Sequence, residues 1–218
     1  MLKRDLSSIL LIIALLTLLF GCASSTKTIS NQAKMSLLDQ EIQNWREFRI
    51  SGISELETQM LSFRNPCVIL RAEDKFRFDV LNSGLLGLGR GVFLQFYAEK
   101  KFIQYREPLS PDIKVVPMQN EPLHWMKFLS TTMYDELETQ KDYIIETHKA
   151  HIGDFDLKFS NTMRLAQITS IDYDIRINFY YDRHDRLYEI RATIPMIRNL
   201  TIHVDKIEYS NVVINPLR

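Results

Sequence analysis

The chain has 218 residues, with 27 lysines and arginines balanced by 27 aspartates and glutamates, so its formal net charge is zero. A neutral chain without a block of like charges argues against a nucleic-acid partner, and no nucleic-acid binding is expected. The length predicts one domain with a substantial hydrophobic core, and no repeat or low-complexity segment divides it.

The N-terminus has the order of a secretory signal peptide. Two basic residues, Lys3 and Arg4, precede an apolar stretch from Ile9 to Phe20,. This stretch is too short for a transmembrane helix, which needs about 20 apolar residues. The segment from Leu19 to Cys22 resembles the lipobox of bacterial lipoproteins, although Phe20 is bulkier than is usual at its position.

The lipobox resemblance implies that residues 1–21 are removed and that Cys22 is lipidated. Stable anchoring takes more than one acyl chain, and the two or three chains of a lipoprotein meet that need. By similarity to enterobacterial sorting, Ala23 after the cysteine implies the outer membrane, with the protein on its periplasmic face. The polar composition of residues 22–32 predicts a flexible tether. Its ten residues after Cys22 reach roughly 17 to 19 Å as a random coil. The domain of residues 33–218 is therefore expected to work near that membrane.

The second cysteine, Cys67, has no partner for a disulfide once Cys22 is assigned to lipid. It is expected to be a buried small apolar residue. A reactive thiol would need a neighbouring base, and Arg64 and Arg71 are poor candidates for that role.

The first predicted element of the domain is an amphipathic helix. Met35, Leu38, Ile42 and Trp45 recur at helical spacing with polar residues between them,. We expect this helix to cover one face of a sheet.

The pattern then changes to the period of a strand. Between Arg71 and Leu81, Phe76, Phe78 and Val80 alternate with charged residues,. Further on, the segments 92–97 and 102–106 predict a hairpin around a turn at 98–101.

A second helix is predicted from Pro122, where Met126, Leu129, Met133 and Leu137 follow at spacings of three and four,. From Tyr143 onward the pattern predicts strands again.

Alternation from Tyr173 to Tyr181 predicts a strand that carries Ile175, Ile177 and Phe179 on one face,. A turn at 183–186 and a return strand follow. A phase slip after Val204 predicts a β-bulge near residues 205–206. Antiparallel hairpins with two segregated helices define the α+β class.

Over residues 32–214 the chain resembles the LolA/LolB superfamily of lipoprotein carriers. The features that carry the resemblance are the lipobox, the first helix, the strand from Asp74 to Leu81 before a Gly/Leu-rich loop, and the closing hairpins. The resemblance implies a strongly curved, unclosed antiparallel sheet, a half-barrel, with helices covering an apolar concave face that accommodates acyl chains. It implies a lining of Phe76, Phe78, Val80, Ile175, Ile177 and Phe179, and a lid of Met126, Leu129 and Met133. An ordinary α+β core has the same pattern, so both interpretations stay open.

The Gly/Leu-rich loop holds four glycines between Gly84 and Gly91. It lacks the Lys-Ser/Thr of a phosphate-binding loop, and no helix pattern follows it. The resemblance implies a loop that contacts the membrane through Leu85, Leu86 or Leu88. The alternative is a bulged turn whose leucines fold back into the core.

No residues predict catalysis, a metal or a cofactor. His148 and His151 are three positions apart, and on a strand they would face opposite sides and could not share an ion. No strained nucleophile elbow is present. The expected function is therefore that of a lipid-anchored protein that binds or transfers lipid or lipoprotein acyl chains, with a possible envelope protein partner. The alternative is a structural lipoprotein that docks onto an envelope assembly without ligand or catalysis.

Overall fold

The structure is a computed structural model that describes residues 29–57, 62–82, 91–99, 101–107, 110–117, 132–170, 172, 174–194 and 197–218. Within these ranges the chain from Asn31 to Arg218 forms one compact unit. Three helices are described, namely α1 (Asn31–Arg46), α2 (Thr132–Thr139) and α3 (Lys141–Thr147). The described strands are β1 (Glu47–Glu57), β2 (Ser62–Ala72), β3 (Lys75–Leu81), β4 (Val92–Glu99), β5 (Phe102–Arg106), β6 (Lys114–Pro117), β7 (Lys149–Ile152), β8 (Phe155–Phe159), β9 (Leu165–Ser170), β10 (Ile175–Tyr181), β11 (Leu187–Ile194) and β12 (Ile197–Glu208).

All these strands belong to one antiparallel sheet in the order β6-β5-β4-β3-β2-β1-β12-β11-β10-β9-β8-β7. The sheet consists of two meanders, β1 to β6 and β7 to β12, in which each strand pairs with the next one along the chain. Pairing between β1 and β12 joins the two meanders at the centre. The edge strands β6 and β7 do not pair with each other, so the sheet is open. This confirms the predicted α+β class with an unclosed antiparallel sheet.

The predicted bulge lies in β12. Ser51 pairs with Lys206 and Gly52 pairs with Val204, which leaves Asp205 as the extra residue. A β-carbon on Gly52 would overlap the backbone carbonyl of His203 on the neighbouring strand. A glycine is therefore required where β1 passes the bulge.

The first helix follows its prediction. Leu38 and Ile42 are fully buried, and Met35 and Trp45 pack against the same core. Helix α1 therefore presents its apolar stripe to the sheet.

The segment that follows the second predicted helix differs from its prediction. Of the helix predicted from Pro122, the structure describes α2 from Thr132 onward. The prediction of strand structure from Tyr143 is wrong, because Tyr143 lies in α3 and β7 begins only at Lys149. Burial of Ile144 and Ile145 on one side of α3 outweighs the strand preference of β-branched residues,.

The main core lies between the concave face of the sheet and the helices, and a smaller core lies on the opposite face, where Ile214 and Leu217 pack with Tyr97. The buried residues of both cores that the structure describes lie within the unit 31–218. No helix in the described ranges combines the length and apolar character that a membrane crossing requires.

Candidate apolar ligand cavity

A cavity of about 620 Å³ lies between the concave face of the sheet and helices α1 and α2. Protein interiors are close-packed and contain few voids larger than a water molecule, whereas ligand pockets typically measure about 300 to 1,000 Å³. This volume therefore has the size of a binding pocket. The lining residues are Glu41, Ile42, Trp45, Phe48, Ile50, Ile69, Arg71, Phe76, Phe78, Met133, Tyr134, Leu137, Phe155, Leu157, Phe159, Leu165, Ile168, Ile175, Ile177, Phe179, Ile190, Ala192, Leu200 and Ile202.

One half of the wall is a row of aliphatic side chains that crosses five neighbouring strands. The strand register places Leu157, Ile168, Ile177, Ala192 and Leu200 directly opposite one another from β8 to β12. These residues offer methyl and methylene groups and no polar side-chain atom. The row is therefore a surface suited to hydrocarbon.

The other half of the wall is more aromatic. Phe76 on β3 lies opposite Arg71 on β2, and Arg71 lies opposite Phe48 on β1. Two residues further along β3, Phe78 lies opposite Ile69. These residues all line the cavity.

Eight consecutive strands, from β3 through β1 and β12 to β8, contribute to this single cavity. A flat sheet of eight strands would be roughly 34 Å wide at about 4.8 Å per strand. Eight strands can line one space only if the sheet curves around it. The distribution of lining residues therefore agrees with the predicted strong curvature.

Helices α1 and α2 cover the cavity and are joined to each other. The hydroxyl of Tyr134 on α2 donates a hydrogen bond to the backbone carbonyl of Trp45 on α1. The indole of Trp45 packs edge-on against Phe48 and Phe179, with ring centroids 5.1 Å apart in both pairs. This aromatic cluster holds the end of α1 over the sheet.

A buried carboxylate, Glu41, also lies on the wall, with 2% of its surface exposed. Its Oε1 accepts hydrogen bonds from the Trp45 indole at 2.8 Å and the Leu165 backbone N–H at 2.9 Å, and Arg164 pairs with Oε2 at 2.7 Å. Burial, together with the nearby Glu41 charge, raises the pKa of Tyr181, so its hydroxyl stays neutral. The Glu41 charge is thus compensated within the fold.

A buried cation, Arg71, lies in the aromatic half of the wall. It is 3% exposed, and its Cζ lies 4.7 Å from the ring centroid of Tyr134. Burial lowers the pKa of Arg71, but an arginine pKa starts so high that the guanidinium remains charged,. Burial also raises the pKa of Tyr134 to about 12, so this phenol is neutral at physiological pH.

The structure places the predicted lining residues as follows. Phe76, Phe78, Ile175, Ile177, Phe179 and the predicted lid residue Met133 line the cavity. Val80 does not; it is buried in the main core, two residues beyond Phe78 on the same face of β3. Met126 and Leu129, the loop residues Leu85, Leu86 and Leu88, and Cys22 lie outside the described residues. Ligand binding by the lining residues stays a prediction.

Several lining residues were missing from the sequence-based set. Phe155, Leu157 and Phe159 alternate clearly in β8, so periodicity alone could have identified them,. The two charged residues are harder to find. Glu41 looks like an ordinary polar residue of an amphipathic helix, and only its burial identifies it as part of the wall.

The two histidines considered for a metal site have different partners. The Nε2 atom of His148, at the end of α3, lies 3.1 Å from Lys34 Nζ, whereas Nδ1 of His151 lies 2.9 Å from Asp156. Within the described residues no group of three or more histidine, cysteine, aspartate or glutamate side chains could hold an ion. Cys67 is buried, and burial raises its pKa to about 11.

No protein-family model matches the chain, and no curated protein sequence matches it. Among solved structures, a LolA superfamily protein from Nitrosomonas europaea matches with 8% identity over 83% of this chain and 95% of its own length, at a TM-score of 0.43. The lipoprotein LppX of Mycobacterium tuberculosis matches with 8% identity over 85% of this chain and 100% of its own length, at a TM-score of 0.30. Such low identities and TM-scores carry no argument about function, which must come from the cavity.

Proposed function

We propose that this protein is a lipid-anchored, non-catalytic binding protein at the periplasmic face of the outer membrane, and that it holds an acyl chain of a lipid or lipoprotein in its cavity. The observation that carries the proposal is the 620 Å³ cavity lined almost entirely by apolar side chains.

The apolar wall gives a hydrocarbon ligand its binding energy. The space is partly open, and covering apolar surface removes it from water at a gain of about 25 cal/mol per Å². A hydrocarbon chain in the cavity would contact aliphatic and aromatic side chains from several strands at once. A bound acyl chain therefore accounts for both the size of the cavity and its apolar wall.

The anchor and the cavity complement each other. A lipid at Cys22 would keep the domain close to a membrane, from which an acyl chain could enter the cavity or to which it could return. Entry would require α2 to move away from α1, which breaks the hydrogen bond between Tyr134 and the Trp45 carbonyl. The leucines of the loop at 84–91 would contact the membrane during this exchange. In each step the acyl chain partitions reversibly between the membrane and the cavity, and no covalent bond is formed or broken.

The alternative, a structural lipoprotein that only docks onto an envelope assembly, would be expected to fill its core with its own side chains. The side chains of the described residues leave the cavity instead. Binding of an apolar ligand is therefore the better supported function.

Native mass spectrometry tests the proposal on residues 23–218, which lack the lipidation site but contain the complete unit 31–218. The delipidated protein is exposed to phospholipid vesicles and re-isolated. We expect a retained lipid in the wild-type protein and in Val116→Trp, an exposed position on the edge strand β6. Ile177→Trp, which fills the cavity, should lose it. A folded wild-type protein that retains no lipid would overturn the proposal.

A further inference from the structure

Two charged side chains, Glu41 and Arg71, lie on the wall of the cavity. Glu41 pairs with Arg164 and accepts hydrogen bonds from the Trp45 indole and the Leu165 backbone, and Arg71 hydrogen-bonds with Tyr134. Arg71 places a guanidinium on the wall of the same cavity, between the aromatic side chains of Phe48 and Phe76 on the adjacent strands. The cavity is therefore apolar along most of its wall and positively charged at one place.

A second arginine lies near the same tyrosine ring. Arg46, the last residue of α1, has its Cζ 5.4 Å from the ring centroid of Tyr134, the ring that Arg71 also faces. Its buried Nε donates to no acceptor within the described residues. Both guanidinium groups thus lie near one neutral ring.

Guanidinium groups have a geometry that suits a specific class of anion. Their planar set of N–H donors matches the oxygens of a carboxylate or a phosphate, and such charge-assisted hydrogen bonds are about twice as strong as neutral ones. An apolar wall next to this group would at the same time accept a hydrocarbon tail. The combination matches an amphiphile with an anionic head.

We propose that Arg71 is a headgroup site that binds the carboxylate or phosphate of an acyl lipid whose tail lies on the aliphatic row from Leu157 to Leu200. This inference rests on the proposed function and deepens it, because it predicts which lipids the cavity prefers. Arg71 would determine specificity, and the row of aliphatic side chains would supply most of the affinity.

The test compares ligands that share one tail and differ in their head. Palmitic acid, palmitoyl lysophosphatidic acid and hexadecanol compete with a fluorescent apolar probe for residues 23–218 at pH 8, below the concentrations at which they form micelles. We expect at least one of the two anions to bind about tenfold or more tightly than the alcohol, as a charged hydrogen bond predicts. The acid and the phosphate distinguish the two head chemistries from each other.

Variants assign the preference to Arg71. Arg71→Met should remove the preference for the anion and leave hexadecanol binding nearly unchanged, whereas Arg71→Lys should retain part of it. The matched control is Arg191→Met, which removes an exposed arginine whose Cζ lies 5.0 Å from the ring centroid of Tyr180 and should change neither affinity. Thermal unfolding of each variant verifies that it is folded.

The outcomes separate the two proposals. Equal affinity of wild-type protein for the alcohol and both anions would overturn the headgroup site and leave the acyl-binding function standing. Failure of all three ligands to displace the probe would overturn the function itself. An anion preference that persists in folded Arg71→Met would place the headgroup elsewhere and also refute the site. If neither Arg71 variant folds, equal wild-type affinities for the alcohol and both anions still overturn the headgroup site.

Discussion

The size of the cavity leads to an unusual prediction for the substitution Ala192→Phe. Ala192 is the smallest residue of the aliphatic row, and its side chain faces the cavity. An engineered cavity of about 150 Å³ is already large enough to bind benzene. A cavity of 620 Å³ has room for a phenyl ring without displacing its wall. In the delipidated protein the ring should therefore increase stability, although substitution of a large residue for a small one in a core usually decreases it.

The magnitude follows from burial of the ring. A fully buried phenylalanine contributes about 1.5 to 3 kcal/mol, from which roughly 0.5 to 1 kcal/mol is lost by fixing its rotamer. The net gain is about 1 to 2 kcal/mol. For a chain of this size each kcal/mol raises the melting temperature by about 2 to 4 °C, so the expected rise is about 2 to 8 °C.

The assay is thermal and urea unfolding of delipidated residues 23–218, with Ala98→Phe as the matched control. Ala98 is completely buried and does not line the cavity, so the same change there should destabilise the protein by about 1 to 3 kcal/mol,. Ala192→Phe should also weaken lipid binding. Displacing only two methylene groups of a tail loses about 1.6 kcal/mol, which is more than tenfold in Kd. Equal destabilisation by both variants would show that the cavity is filled in solution and would refute this prediction.

Three further predictions concern the fold outside the cavity. Gly52→Ala should destabilise the protein by about 3 kcal/mol or more in urea unfolding, because the added β-carbon overlaps the backbone of β12,. The control Gly91→Ala has open space around its β-carbon and should be nearly neutral. Similar effects of the two substitutions would contradict the close approach of β1 and β12 at Gly52. Hydrogen bonds from the backbone N–H and the guanidinium of Arg186 lower the pKa of Asp182 to about 2 from its ordinary 3.8. The carboxylate therefore adds stability above about pH 4 that is lost as the pH falls toward 2, so the melting temperature of Asp182→Asn should decline less over that window, and an unchanged slope would refute the linkage. The thiol of Cys67, with its pKa raised to about 11 by burial, should react with a thiol reagent at pH 8 only after unfolding, and rapid labelling of the native protein would show that it is accessible,.

Much of the fold was predictable because local periodicity reflects burial on one face. Alternation in β10 and the phase slip at Asp205 are properties of neighbouring residues, and both were recognised correctly. Tyr143 was misassigned because its segment contains β-branched residues that favour strands, whereas packing of Ile144 and Ile145 against the core favours a helix. Local sequence does not contain that tertiary contact.

The cavity itself was less accessible to prediction than its wall. Alternation places Phe76, Phe78 and Val80 on one face, but whether that face contacts a void or other side chains depends on how far the sheet curves. In the structure these three residues have different environments, since Phe76 and Phe78 line the cavity and Val80 packs in the core. The position of Arg71 on the wall likewise involves Tyr134, a residue distant in sequence.

The pairing of β1 with β12 determines when in folding a cavity can exist. Each meander pairs neighbours in sequence and can form locally, but the strands that join the meanders bring together residues such as Glu57 and Asn199, which are 142 positions apart. Contacts of such long range form slowly, because the entropy of closing the intervening chain must be overcome first. Both halves of the wall are needed to enclose a ligand. If the cavity binds an apolar ligand as proposed, a folding chain acquires its binding site only after β12 has paired with β1.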